Sequence, residues 1–337
     1  MLNVSVRSSL GVAMLAATLV TGALAQDTPF KEDGWAKLPD GRKWGATGAV
    51  DVDRDGNVWV FERCGGGTCA DSNVAPIVEL EPSGKYVKSF GAGLFVFPHG
   101  IYLDRDNNVW VTDARGKDGK GHTVVKFSRD GKVLLTLGKA GVAGDGPDTF
   151  NAPSDVITAP NGDIFVADGH GGETNARIVK FSKDGKFIKA WGKKGAGPGE
   201  FNTPHGLAMD SRGRLFVADR ANSRIQIFDQ DGKFLEEWKQ FGRPSGIYID
   251  ANDTIYVIDH QSNSKVNPGF KRGVRIGSAM DGSVKSFIPG LGTDPDTYIA
   301  GEGVAADAAG NVYWAETSGG MTVRKFVRKQ QQRGRQS

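Results

Sequence analysis

Short hydrophobic runs, closed by acidic residues and separated by polar turns, recur along this chain. Six segments share one order: an apolar run, a tight turn, a second apolar run ending in an acid, a strand containing Lys-Phe or Gln-Phe, and a Gly-Lys turn. Short β-rich runs joined by Asn, Asp and Gly turns are typical of hairpins. Each segment therefore predicts four antiparallel strands, and none shows the sustained period of a helix.

The repeat length indicates how these segments assemble. They recur at about 52 residues, close to the length of a propeller blade. We therefore predict an all-β fold, a six-bladed β-propeller with four antiparallel strands per blade, forming one domain over residues 26–329. The sixth segment lacks an outer strand after residues 323–327. We expect residues 35–38, with 41–43 after them, to complete that blade and close the ring.

Composition agrees with a folded chain that is rich in turns. Glycine accounts for 48 of the 337 residues and proline for only 14. Glycine does not recur at every third residue, which excludes a collagen-like chain. The 42 basic and 39 acidic residues leave a net charge of +3, too small to indicate a nucleic-acid partner. The basic excess is concentrated near the end. Residues 330–337 are expected to form a solvated tail, contact with an anionic surface being the alternative.

The first 25 residues are typical of a secretory signal peptide. Arg7 supplies positive charge, residues 10–20 form an apolar stretch, and residues 23–25 form a small-x-small cleavage site before Gln26. The apolar stretch is shorter than the ~20 residues that a membrane span needs. We therefore expect an exported protein, periplasmic or secreted, with no membrane span, and we expect it to be a monomer.

Cys64 and Cys69 are the two cysteines of the chain, and they lie in one short glycine-rich loop. In an oxidising compartment this spacing indicates a local disulfide. A metal site at this pair is the alternative, although two thiolates alone do not complete a structural zinc shell.

Positions at which the repeats differ are better functional candidates than positions that all six share. The acid that ends each second run is present in every repeat and is interpreted as structural. The residue immediately before the first run varies, and in repeat order it is Gly48, His99, Ser154, His205, Ser245 and Glu302.

Alternate blades of a six-bladed ring surround the axis evenly, so His99, His205 and Glu302 are expected to converge. Two imidazoles and a carboxylate suit catalytic zinc, and also iron or another transition metal. Favourable turns without a function are the alternative.

The second strand of each repeat returns to the same mouth of the channel as the start of the first strand. Arg63 and Arg220 directly follow two of the repeated acids, where they would hold a carboxylate or stabilise an oxyanion. His170 lies in a glycine-rich loop after the third acid, where an imidazole acts as acid or base. Solvated loop side chains are the alternative for these three, and the interpretation adopted for His122 and His260.

Several motifs resemble a known family. They are Val60-Phe61-Glu62-Arg63, Pro98-His99-Gly100, Asp168-Gly169 leading to residues 177–182, residues 185–188 with Trp191-Gly192, Pro204-His205-Gly206-Leu207, and residues 217–220 with 224–226. With these motifs the chain resembles NHL-repeat propellers, and among them the bacterial relatives of peptidyl-α-hydroxyglycine α-amidating lyase. The resemblance covers nearly all of the chain after the predicted signal peptide.

The resemblance implies a specific active site. It implies a six-bladed propeller with a catalytic zinc on three channel histidines, a tyrosine and arginines nearby, and a structural calcium. The activity it implies is cleavage of a carbinolamide carbon–nitrogen bond, which gives an amide and glyoxylate. His99 and His205 match two of the zinc ligands, and Arg63 and Arg220 match the active-site arginines.

The chain departs from that pattern at three positions. Glu302 stands in place of the third histidine, His170 in place of the tyrosine, and Gly303 in place of an aspartate that serves calcium. A carboxylate ligand broadens the choice of metal, and the calcium loses one ligand. We expect a metal-dependent lyase acting on a small-molecule or peptide-derived substrate. A non-catalytic propeller that binds a protein or small ligand, and a lactonase-like metal-dependent hydrolase, are the alternatives.

Overall fold

The structure is a computed structural model that describes residues 30–318, 320 and 322–329. The predicted signal peptide and the predicted tail of residues 330–337 lie outside the described residues. In the part of the chain that is described, every named element is a β-strand except one 3-10 turn at Arg220–Asn222. No helix in these residues is long and apolar enough to cross a membrane.

In the described residues, twenty-four strands form six sheets of four antiparallel strands, which are the blades of a β-propeller. Blade 6 contains β1 (Phe30–Asp33), β22 (Gly303–Ala306), β23 (Val312–Ala315) and β24 (Val323–Arg328). Blade 1 contains β2 (Thr47–Val52), β3 (Val58–Glu62), β4 (Ile77–Leu80) and β5 (Tyr86–Phe90). Blade 2 contains β6 (Pro98–Leu103), β7 (Val109–Asp113), β8 (Thr123–Phe127) and β9 (Val133–Leu137).

The next three blades have the same order of strands from the axis outward. Blade 3 contains β10 (Pro153–Thr158), β11 (Ile164–Asp168), β12 (Arg177–Phe181) and β13 (Phe187–Trp191). Blade 4 contains β14 (Pro204–Met209), β15 (Leu215–Asp219), β16 (Arg224–Phe228) and β17 (Phe234–Trp238). Blade 5 contains β18 (Gly246–Ile249), β19 (Thr254–Asp259), β20 (Gly273–Ser278) and β21 (Val284–Pro289). The predicted fold class is confirmed.

Blade 6 is completed by β1, which pairs antiparallel with β24. The expectation that residues 35–38 and 41–43 supply this strand is therefore wrong. Trp35 instead packs on Tyr313, with ring centroids 5.2 Å apart. The strand was missed because β1 buries Phe30 while its next two residues are exposed, so an edge strand of this kind leaves almost no hydrophobic pattern.

The core lies between neighbouring blades, where a hydrophobic cluster fills each junction. Between blades 1 and 2, for example, Trp59, Phe61 and Phe127 are fully buried. Burial of each such side chain contributes about 1.5–3 kcal/mol. The innermost strands contact one another around the axis, and β2 against β22 closes the ring. This packing holds the ends of the six inner strands in a fixed arrangement.

The repeated acids fasten the loops that lead into the inner strands. All six are buried, and they are Glu62, Asp113, Asp168, Asp219, Asp259 and Glu316. In blades 1–5 the carboxylate accepts hydrogen bonds from backbone N–H groups of the preceding loop. These contacts agree with a structural role. In blade 1 the adjoining loop is also closed by a disulfide between Cys64 and Cys69, as its spacing predicts, which leaves no free thiolates there for a metal.

The inner strands of blades 1–4 shift register at their first residues. An irregularity of this kind redirects a side chain from the regular alternation of the strand. The position that differs between repeats lies at this shift, and in blades 5 and 6 it lies directly before the strand. The shifts fall between Thr47 and Ala49, Pro98 and Ile101, Pro153 and Asp155, and Pro204 and Leu207.

Candidate metal centre

Four side chains from four different blades converge at one end of the channel. They are His99 on β6, His170 in the loop after β11, His205 on β14 and Glu302 just before β22, and each offers one ligand atom within 4.8 Å of the others. The structure thus brings together His99, His205 and Glu302, which occupy alternate blades in the sequence repeat. It adds His170, whose side chain is 20% exposed while the other three are buried.

Two of the histidines are oriented by serine carbonyl groups of the next blade. Nδ1 of His99 donates to the backbone oxygen of Ser154 at 2.6 Å, and Nδ1 of His205 donates to that of Ser245 at 3.0 Å. A carbonyl oxygen only accepts, so the proton of a neutral ring lies on Nδ1 and Nε2 carries a lone pair. These two Nε2 atoms, of His99 and His205, are the ligand atoms that the two residues offer to the cluster. The serines occupy the same repeat position as the histidines. That position therefore supplies an imidazole in one blade and the carbonyl group that orients it in the next blade.

Glu302 is the centre of the cluster. Its Oε1 lies 3.0 Å from Nε2 of His205, 3.9 Å from Nε2 of His99 and 3.8 Å from Nε2 of His170. Nε2 of His99 and Nε2 of His170 are buried and have no hydrogen-bond partner in the described part of the chain. A buried nitrogen normally has such a partner. The geometry therefore fits a cation bound between these atoms.

The protonation states of the cluster suit metal binding. Burial lowers the pKa of His170, and it lowers that of His99 well below the usual value. Burial, with the charge of Arg220, lowers the pKa of His205 to about 3. Burial alone raises the pKa of Glu302, but the polar and positively charged groups around it, Arg220 among them, hold it well below the usual value. The cluster at neutral pH is three neutral imidazoles and one carboxylate, the states in which these groups bind metal.

Arg63 and Arg220 flank the same carboxylate. Arg220 donates to Oε1 of Glu302 at 3.2 Å, and the guanidinium of Arg63 lies 3.9 Å from Oε2. Arg63 also donates to the backbone oxygen of Pro98 at 3.1 Å and stacks on Phe97, 3.7 Å from its centroid. Both arginines are buried. They are therefore parts of the site and not solvated loop side chains.

His260 belongs to the edge of this site, although the sequence suggested a solvated loop residue. Its Nδ1 lies 2.6 Å from the hydroxyl of Ser245, and burial lowers its pKa to about 4. His260 directly follows the repeated acid of blade 5, and the same repeat position carries arginine in blades 1 and 4. This shared position is the sequence feature that could have indicated a place at the site. His122 lies elsewhere, where its Nδ1 accepts from the backbone N–H of Ala152.

Glycines after the site residues let neighbouring inner strands approach closely. A Cβ atom on Gly206 would lie 2.6 Å from the backbone oxygen of Ser245, and one on Gly303 would lie 2.8 Å from that of Gly48. Both distances are shorter than van der Waals contact. An aspartate at position 303, the calcium ligand implied by the resemblance, therefore does not fit this backbone.

The channel continues from the cluster as a cavity of about 280 Å³ lined by all six inner strands. Asp51 and Asp155 are two of the acidic residues that line it. Asp51 accepts from the backbone N–H of Leu103 at 2.7 Å, and Asp155 accepts from that of Leu207 at 2.8 Å. Burial raises the pKa of each to about 7 despite these hydrogen bonds. The acids thus link blades 1 and 3 to the next blade and are partly protonated at neutral pH.

Comparison with known proteins agrees with the repeat and the fold. A sequence profile of the NHL repeat matches residues 201–228. The chain is 36% identical to human NHL repeat-containing protein 3 over 193 residues, 56% of this chain and 52% of that protein. It is 37% identical to peptidyl-α-hydroxyglycine α-amidating lyase 1 of Drosophila melanogaster over 195 residues, 52% of this chain and 33% of that enzyme. With peptidyl-glycine α-amidating monooxygenase B of Xenopus laevis the identity is 40% over 169 residues, 48% and 18% of the two chains.

This chain thus matches about half the length of the human protein and a smaller share of the amidating enzymes. Solved structures with the same fold include a gluconolactonase from Xanthomonas campestris, at a TM-score of 0.57 and 16% identity over 89% of this chain and 88% of that one. Virginiamycin B lyase from Staphylococcus aureus has a TM-score of 0.54 at 14% identity, over 88% and 99% of the two chains. At such identities these structures show the fold alone. The chain is a six-bladed β-propeller with an NHL repeat, and it resembles the peptidyl-α-hydroxyglycine α-amidating lyases.

Proposed function

We propose that this protein is an exported, metal-dependent lyase of the peptidyl-α-hydroxyglycine α-amidating type, which cleaves a carbinolamide carbon–nitrogen bond. The observation that carries the proposal is the group of four ligand atoms within 4.8 Å of one another at the channel end. The names of the relatives supply the reaction class. The reaction itself is a proposal for this chain, because fold and partial identity do not determine chemistry.

His99, His205 and Glu302 would hold the metal. A divalent ion bound there, zinc or another transition metal such as iron, supplies Lewis-acid polarisation of a substrate oxygen. The chain contributes the orientation of the ligands. The carbonyl groups of Ser154 and Ser245 fix the proton of each ring on Nδ1, so that Nε2 faces the cluster before any ligand arrives.

The reaction requires one proton to move and no further reactant. The carbon–nitrogen bond breaks, its electron pair goes to the nitrogen, the substrate hydroxyl loses a proton as the carbonyl of glyoxylate forms, and the nitrogen gains a proton. A neutral imidazole is suited to accept and return that proton. Two rings at the site meet this requirement, His170 within the cluster and His260 at its edge, because burial lowers the pKa of both.

Arg63 and Arg220 would bind the carboxylate of the substrate. The two guanidinium groups face a single carboxylate, Glu302. The pair therefore retains net positive charge inside a buried site, where electrostatic interactions are stronger than in water. A planar guanidinium suits recognition of a carboxylate or of developing negative charge on oxygen.

The proposal is tested with the purified mature protein. We expect stoichiometric transition metal by elemental analysis, and we expect an N-acyl-α-hydroxyglycine to yield glyoxylate and the amide. A metal-loaded protein that forms no glyoxylate would exclude this substrate class, and lactone hydrolysis would be measured on the same sample. Absence of stoichiometric transition metal, with a partner retained equally by wild type and His99→Ala, would favour the binding propeller.

Export is a separate part of the proposal. The mass of the protein recovered from the medium or the periplasm should correspond to a chain that begins at Gln26. Recovery of the uncleaved chain from the cytoplasm alone would contradict it.

A further inference from the structure

The loop after β11 places His170 inside the ligand cluster. Gly169 has a φ of +141°, and a Cβ there would lie 1.7 Å from the backbone oxygen of Asn175, so glycine is required for this path. The path brings the next residue over the channel. The ring centroid of His170 lies 4.3 Å from that of His99 and 5.1 Å from that of His205.

The Nε2 atom of His170 is in the same situation as that of His99. Both atoms are buried and lack a hydrogen-bond partner in the residues that the structure describes. They lie 3.8 Å and 3.9 Å from the same oxygen of Glu302. Two buried ring nitrogens that face one carboxylate oxygen without a hydrogen-bond partner indicate one positive centre shared by all three side chains.

We propose that His170 is a metal ligand, so that the ion is bound by three imidazoles and the carboxylate of Glu302. The proposal rests on the metal centre of the proposed function and extends it. Three imidazoles favour zinc, iron or cobalt over the magnesium and calcium that carboxylate and carbonyl oxygens select. A ligand Nε2 is not free to move a proton, which leaves that role to His260.

Metal affinity of a His170→Ala variant tests the proposal. Zn²⁺ and Co²⁺ binding would be measured by competition with a chromogenic chelator, beside wild type and His122→Ala. We expect affinity to fall by at least about 100-fold, the upper end of the loss caused by removing an outer-shell partner. His122→Ala should match wild type. Free imidazole should restore binding to His170→Ala, because the partly exposed side chain leaves a cavity open to solvent.

A measurement on the wild-type chain keeps the test valid if the variant does not fold. In the Cu²⁺-loaded wild type, pulsed electron paramagnetic resonance counts the coupled imidazole nitrogens. Coupling from three rings supports the proposal, and coupling from two overturns it. Wild-type affinity and an unchanged Co²⁺ spectrum in His170→Ala would also overturn it.

These outcomes separate the inference from the proposed function. A wild-type chain that binds no transition metal contradicts both. A chain that binds metal equally with and without the His170 ring contradicts the inference and leaves the lyase proposal standing. A chain that needs the ring for metal but forms no glyoxylate supports the inference and excludes the substrate class.

Discussion

Nε2 of His205 and Oε1 of Glu302 lie 3.0 Å apart across the channel, although neither atom carries a proton at neutral pH. The ring proton of His205 is donated to the carbonyl of Ser245 on the opposite side, and its pKa of about 3 keeps the ring neutral. Two acceptors in contact need a positive charge nearby. Arg220 supplies one at 3.2 Å from the same oxygen, and a bound metal ion would supply the second.

The first prediction concerns the charge at the centre of the site. Glu302→Gln should lower metal affinity by about 10–100-fold or more and abolish glyoxylate formation, because the amide is a poor ligand and its NH₂ donates to the lone pair of His205. Elemental analysis after dialysis, followed by the glyoxylate assay, measures both effects. The control Glu81→Gln alters an exposed acid on the outer part of blade 1. Equal metal content in the two variants would show that Glu302 is not a ligand.

The second prediction separates proton transfer from metal binding. His260→Gln should retain metal and lower kcat by about 10²–10⁴-fold, the usual contribution of a general acid or base. His260 lies outside the four-residue cluster, so the metal should remain. Steady-state kinetics with metal-loaded protein give kcat and KM separately. A wild-type kcat would remove His260 from the mechanism, whereas lost metal would assign it a supporting role through Ser245.

The third prediction tests the close approach of blades 4 and 5. Gly206→Ala should destabilise the protein by about 1–3 kcal/mol, since overpacking forces backbone shifts, and it should weaken metal binding. The added methyl group displaces the carbonyl of Ser245, 2.6 Å away, which orients His205. Gly67→Ala is the matched control, because a Cβ there meets nothing within 4 Å. Urea denaturation and metal titration of both variants are compared, and identical behaviour would contradict the predicted clash.

The fourth prediction follows from the buried acid Asp51. Its pKa is raised from 3.8 to about 7 in the folded chain, chiefly by burial, so unfolding releases its proton over this range. The free energy of unfolding should therefore fall as pH rises from about 4 to about 7 and then level off. For this one group the change is at most about 4 kcal/mol.

Asp51→Asn, measured by urea denaturation at several pH values, should flatten part of that dependence. Asp130→Asn is the control, because Asp130 is 94% exposed. An Asp51→Asn profile parallel to wild type would contradict the assignment. Asp155 has the same raised pKa, so the double variant should flatten the profile further.

The repeat predicted the blades and three cluster members because both depend on regular spacing. Each blade is a local hairpin pattern, and one repeat position faces the axis in all six, so the change from Gly48 to His99 or Glu302 was visible in the sequence. Strand β1 was not visible in the same way. Its only clear signal is the buried Phe30, and its partner β24 lies at the far end of the chain.

The orientation of His170 and His260 depends on features that no spacing records. His170 reaches the cluster through a glycine conformation in a loop that does not repeat. His260 is oriented by a hydrogen bond between its Nδ1 and the hydroxyl of Ser245, the residue just before β18. Both histidines were recognised as ionisable loop residues, but only tertiary packing places the ring of His170 within the four-residue cluster and that of His260 beside Ser245.

The pairing of β1 with β24 has a consequence for how the site forms. Glu302 directly precedes β22 of the blade that these strands complete, and it lies beside Arg63 of blade 1 and His99 of blade 2, so the complete site needs the first and last blades together. An open-ring folding intermediate would contain folded blades and buried clusters but no assembled site. Metal uptake during refolding would therefore report when the ring closes, and a bound metal ion would stabilise the closed ring.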